Sequence, residues 1–216
     1  MSSGIRLMLL ALSLTSGLAG SLPAQAPADS GVFIVRHAGD TVAIERFSRT
    51  PVRLAGTLAI HNSRRSSQNY TAVIAPDATL PLIELTVLEG RDSAATKARV
   101  VQRARVIFKD DSVAVDEVGG AGLMTRVFST EKGAVPYLNL SFALLEQATR
   151  LASRGRSDIA FFNLGGGQTR TAKLSRLSSD SVSLAIGDVE YHLRVDRTGR
   201  LLGARIPAQN VTVERQ

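Results

Sequence analysis

Cysteine is missing from this sequence of 216 residues, and so is tryptophan. Without cysteine there can be no disulfide, no thiol nucleophile, no zinc site of the Cys type and no lipid anchor on an N-terminal cysteine. Aromatic residues make up only 5% of the chain, so stacking platforms for single-stranded nucleic acid are poorly supplied. Histidine occurs only at positions 37, 61 and 192, with no H-x-x-H or H-E-x-x-H spacing. Neither a metal site nor a cofactor follows from that pattern. No serine sits in a G-x-S-x-G elbow, and no carboxylate pair is placed for acid–base work. Gly165–Gly167 leads into strand-like alternation, whereas a phosphate loop needs a helix start. No catalytic residue is assigned.

Lysine is scarce too, occurring only at 97, 109, 132 and 173, so the net charge of +7 is carried by arginine. The N-terminus explains where such a surface would be used. Arg6 precedes the apolar run Leu7–Leu14, and small residues follow down to Ala26. Charge, short apolar core and small-residue exit are the order of a secretory signal peptide, cut after Ala24 or Ala26. The apolar core is shorter than the roughly 20 residues that span a bilayer. Residues 1–26 are therefore read as a signal peptide and 27–216 as a single β-rich domain, exported to a bacterial periplasm or secreted. In that compartment a basic surface meets anionic phospholipid headgroups or cell-wall polymers rather than nucleic acid.

What the sequence has in quantity is alternation. Residues 189–207 read VEYHLRVDRTGRLLGARIP, with Val189, Tyr191, Leu193 and Val195 alternating against Glu190, His192 and Arg194. Side chains alternate faces along a strand, so one face is apolar and the other wet. Asp196–Gly199 forms the turn, and His192 is one polar residue of the wet face rather than a ligand. Similar rows surround the Ala38–Gly39–Asp40 and Gly187–Asp188 turns, and Asp110–Asp111 follows a long strand over 97–108. One segment differs. Leu138, Phe142, Leu145, Ala148 and Ala152 recur at helical spacing, which predicts an amphipathic helix over 138–152, capped by Asn139 and ended near Gly155. The fold class expected is mainly β (a β-rich α+β chain): a single curved antiparallel sheet or open half-barrel, with one amphipathic helix on its concave side.

The strand-rich meander, the interrupting helix and the closing run VEYHLRVDRTGRLLGARIP resemble exported bacterial half-barrel proteins, among them the periplasmic lipoprotein carriers. The resemblance implies a non-catalytic envelope protein whose concave face shelters a lipid or a lipidated partner. Phe142, Leu145, Leu184, Tyr191 and Leu193 are the candidate cavity liners, and Arg64, Arg65, Arg103 and Arg105 the candidate headgroup contacts at an anionic membrane surface. Two other readings stay open: a secreted hydrolase whose site assembles only in three dimensions around His192 or His37, and a structural or interaction protein using exposed strand edges. The oligomeric state is left open.

Overall fold

The computed structural model describes residues 29–61, 66–90 and 98–216. The expected signal peptide lies outside these residues, as do Arg64 and Arg65.

Among the described residues, two meanders share one sheet. The first runs through β1 (Asp29–His37), β2 (Asp40–Arg49), β3 (Arg53–Ile60), β4 (Ser66–Val73), β5 (Leu82–Glu89), β6 (Arg99–Lys109), β7 (Ser112–Gly119) and β8 (Gly122–Ser129). The chain then crosses to the far edge through β9 (Val135–Tyr137) and helix α1 (Phe142–Ala152). The second meander returns through β10 (Asp158–Asn163), β11 (Gln168–Arg176), β12 (Ser181–Ile186), β13 (Val189–Val195), β14 (Leu201–Ile206) and β15 (Val211–Arg215). β15 pairs with β1, so fifteen strands form one open, curved sheet from β8 at one edge to β9 at the other. Every pairing is antiparallel except β9 beside β10.

The alternation in the sequence becomes the two faces of this half-barrel. On β13, Tyr191, Leu193 and Val195 are buried, while Glu190, His192 and Arg194 are exposed. The inner face of β1 and β2 stacks Phe33 on Phe47 at 5.3 Å between ring centroids, and Phe142 of the helix meets Phe33 at 6.1 Å. The curvature brings the far end of β8 onto the second meander: Phe128 lies 5.7 Å from Phe162 of β10, and the Thr169 hydroxyl donates to the Ser129 carbonyl at 3.2 Å. Residues Gly122–Val127 of β8 are exposed and, among the described residues, have no neighbouring strand on their outer edge.

Two features differ from the sequence expectation. The helix starts at Phe142, not Leu138, and its cap is Ser141 rather than Asn139, because Leu140 takes φ 66° and turns the chain before the helix can begin. The Ser141 hydroxyl accepts from the Leu144 N–H. The helix is also not half-wet. Glu146, Gln147 and Thr149 on its polar side are as buried as Leu144 and Leu145, since the sheet curls around it. Among the described residues, no helix is long and apolar enough to cross a membrane.

Candidate ligand-binding site

The site is held by the helix, and the helix is held by two buried carboxylates. Glu45 points inward from β2 beside Ala43, Phe47 and Arg49, which share its face. One carboxylate oxygen accepts from the Tyr70 hydroxyl at 2.6 Å and the Ser141 hydroxyl at 2.5 Å; the other accepts from the backbone N–H groups of Phe142 at 2.7 Å and Ala143 at 2.9 Å. A carboxylate from the sheet thus satisfies two of the open donors at the helix N-terminus, where the dipole favours negative charge. Burial pushes the Glu45 carboxyl above its ordinary range, against the pull of these four hydrogen bonds. The same burial and the neighbouring Glu45 push the Tyr70 phenol well up.

One turn further along the helix, Glu146 accepts from Arg150 Nε at 2.7 Å, from Arg215 at 2.7 Å and from the Leu201 N–H at 3.0 Å. Asp29 joins Arg150 at 2.8 Å, Arg200 at 3.2 Å and Arg215 at 2.6 Å. The Arg215 guanidinium also lies over the Phe47 ring, 4.8 Å from its centroid. Arg49 completes the group, donating to Gln147 at 2.7 Å; burial, opposed by Glu146, lowers it to about 10. These charges bind one another and tie β1, β2, β14 and β15 to the helix. They are scaffold.

Past the C-terminal end of that helix the inner face opens. A depression of about 290 Å³ has an apolar floor of Ala152, Leu174, Val182 and Val195, contributed by α1, β11, β12 and β13. Arg156, Arg176 and Arg197 stand around it, with Ser153 and Ser157. Arg176 is tied to the carbonyls of Ser178 and Ser179 at 3.0 and 2.8 Å. The Arg156 guanidinium reaches to Gly133, beside a neighbouring depression that it shares with Asp77 and Glu131. Neither Arg156 nor Arg197 forms an ion pair among the described residues. Asp196 also lines the depression and, among the described residues, is the one carboxylate beside the arginines there. Burial raises its carboxyl, but hydrogen bonds from the Thr198 hydroxyl and the N–H groups of Arg200 and Thr198 outweigh this and keep it below the usual range, with one oxygen fully used. The volume is at the small end of small-molecule sites, about 300–1,000 Å³. An apolar group fits the floor and an anion fits the rim.

The residues singled out from the sequence lie elsewhere. Phe142, Leu145, Leu184, Tyr191 and Leu193 are all in the buried core, and none of them lines this depression. Tyr191 directs its hydroxyl to that of Tyr137 at 3.2 Å. Arg103 and Arg105 are exposed on the outer face of β6, opposite Thr86 and Glu84 of β5. His192 is likewise outside, 3.5 Å from Glu190, which accepts from Ser183 at 2.6 Å. That places a carboxylate between serine and imidazole on an exposed surface, so the histidine is not in position to take the serine proton. Among the described residues no group of three histidines or carboxylates converges on one point. The arginine rim was missed because Arg156, Arg176 and Arg197 lie at turns or strand ends, where alternation carries no information about direction. Glu45 was legible in principle, since its parity with Ala43 and Phe47 puts it on the apolar face.

No protein-family model matches the sequence, and no curated protein matches it. Solved structures do resemble it. A DUF1089 family protein from Pseudomonas aeruginosa superposes with a TM-score of 0.53 at 13% identity, over 79% of this chain and 91% of that one. What the two share is the fold. A beta-barrel-like protein of the domain of unknown function DUF1849 from Brucella abortus gives a TM-score of 0.49 at 11% identity, over 89% of this chain and 95% of that one.

Proposed function

We propose that this is a non-catalytic protein of the bacterial envelope that binds an anionic amphiphile, seating an acyl chain on the floor of the depression and its carboxylate or phosphate among the arginines. The observation that carries the reading is the pairing of an apolar floor (Ala152, Leu174, Val182, Val195) with a rim of three arginines in one concave site. Guanidinium groups are suited to carboxylate and phosphate, which they can bind through two parallel hydrogen bonds. Export supplies the location, and a lipid or a lipidated protein supplies the ligand; both belong to the proposal.

Calorimetric titration with dodecanoate and dodecyl phosphate tests it. Saturable one-to-one binding is expected, and Arg156→Glu with Arg197→Glu should weaken it at least about tenfold, the scale of losing a charge-assisted contact. Native mass spectrometry of protein from a bacterial periplasm should carry an acyl-containing mass that disappears on denaturation. If neither amphiphile binds and no such mass accompanies the folded protein, the reading falls.

A further inference from the structure

Among the described residues the edge strand β8 is exposed on both faces and along its outer edge, and its outward-facing side chains carry no charge to protect it. Exposed edges are ordinarily blunted by lysine, proline, a bulge or inward-pointing charge, because their unpaired N–H and C=O groups template another strand. Here Gly122–Ser129 reads GLMTRVFS, and Leu123 and Val127 are 71% and 70% exposed. Its single charge, Arg126, stands on the inner face opposite Val115, where Glu117 engages it at 2.6 Å, so it blunts that face and leaves the outer row uncharged. Only the far end is closed off, where the Ser129 carbonyl accepts from Thr169.

The outer surface beside this edge is patterned in rows. Following the register across the sheet, Val73, Leu82, Ile107, Ala114 and Val127 stand directly opposite one another from β4 to β8. This apolar row lies on the outer face, since the alternate residues Ala72, Ile83, Val106 and Val113 are the buried ones. A second row runs Thr71, Glu84, Arg105, Asp116 and Thr125. A third ends in Val118 and Leu123. The edge therefore presents Leu123, Thr125 and Val127 in turn: apolar, polar, apolar, symmetric about Thr125.

We propose that β8 pairs antiparallel with β8 of a second copy of this chain, about a two-fold axis at Thr125. A strand with that symmetric pattern is complementary to itself. In this register Leu123 of each copy faces Val127 of the other, Thr125 faces Thr125, and Met124 faces Arg126. The Val118–Leu123 row of one copy then continues into the row from Val127 to Val73 of the other, giving two unbroken apolar stripes beside a central polar one. Charge selects the same register. Sliding by two residues in one direction sets Arg126 opposite Arg126, and like charges directly opposite are unfavourable. Sliding by two in the other sets Leu123 against Thr125 and leaves Val127 facing the Gly120–Ala121 turn. The hydrophobic pattern specifies strand register most strongly where one alignment matches apolar residues and its neighbours do not. An isologous contact of this kind closes on itself and stops at two copies.

The absence of cysteine makes the test direct. Directly opposed residues of an antiparallel pair have Cα atoms about 4.5–5.5 Å apart, within the range a disulfide spans. Under mild oxidation Thr125→Cys should give a covalent dimer, while Thr86→Cys, on the same face but away from the edge, should stay monomeric. Light scattering on the unmodified protein should give twice the chain mass at concentrations up to about 100 μM. The double variant Leu123→Lys/Val127→Lys should dissociate at least about tenfold more readily. Both side chains are exposed in a single copy, so its melting profile extrapolated to low concentration should be unchanged. A monomer throughout this range, a dimer indifferent to the lysines, or a Thr125→Cys protein that does not cross-link would each overturn the pairing. None of these outcomes depends on the arginine-rimmed depression, whose occupancy is read separately.

Discussion

Glu45 shows how one side chain can decide where a helix begins. Two of its four donors are hydroxyls that can rotate, from Tyr70 and Ser141, and two are backbone N–H groups fixed at the start of α1. That difference separates two substitutions. Glu45→Gln can turn its carbonyl oxygen to the backbone donors and its amide to the hydroxyls, which can accept, so a loss of about 1 kcal/mol is expected. Glu45→Ala strands all four buried donors and opens a void, so about 3 kcal/mol or more should be lost. Urea denaturation of the two variants measures the difference, and equal losses would mean that the hydrogen bonds contribute nothing beyond volume. The parity of Ala43, Glu45, Phe47 and Arg49 puts two charged residues on an apolar face, and the sequence displays it. Apart from Tyr70, however, their hydrogen-bond partners lie 94 to 98 positions away, at a helix whose start is displaced by the backbone at Leu140. Long-range polar pairing leaves no periodic signal, so the scaffold of the site stayed hidden while its strand was visible.

The turn between β13 and β14 acts as an element because it docks on the helix rather than only reversing the chain. The Thr149 hydroxyl donates to the Gly199 carbonyl at 2.6 Å, and the Ser153 hydroxyl to the Thr198 carbonyl at 3.1 Å. Gly199 has φ 79°, and a Cβ there would run into the Thr149 carbonyl oxygen and lie 2.8 Å from Arg150 Cα. Gly39 in the β1–β2 turn has φ 96° with nothing near its would-be Cβ. Gly39→Ala should therefore cost about 1 kcal/mol from backbone strain alone. Gly199→Ala should cost roughly 3 kcal/mol or more, because the helix must move as well. It should also weaken amphiphile binding, since Gly199 and Thr149 border the depression. Thermal melts of the pair provide the comparison, and matching losses would show that the turn is not packed against α1. The turn itself was legible from Asp196–Gly199, as were the hairpins at Ala38–Gly39 and Gly187–Asp188. β8 was not, because a strand wet on both faces has no apolar alternation to detect; nor was β9, which has only three residues and pairs in parallel.

At the scale of the molecule, the decisive contact is between the first and last described strands. β15 is the last of the described strands, yet it sits inside the sheet, with β1 and its meander on one side and β14 and the other meander on the other. Five residues, Val211–Arg215, join the two halves, and Arg215 adds its bonds to Glu146 and Asp29. Local hairpins can form as each meander emerges, but β1 and β14 have no common partner until β15 arrives. The pairing that unites the sheet therefore carries the longest loop closure in the fold. Deleting Val211–Gln216 should remove more than an edge strand's share of stability: unfolding should lose its single cooperative transition, and amide protection should fall in both β1 and β14. Arg215→Ala, which keeps the strand but severs the helix contacts, should lower the melting temperature while retaining one transition. If the shortened chain still melts in one step with β1 and β14 protected, the two meanders are joined by the helix and its carboxylates, and β15 is only a spacer between them. If cooperativity is lost as expected, the half-barrel cannot become one unit, nor shape the depression past the end of its helix, before β15 is in place.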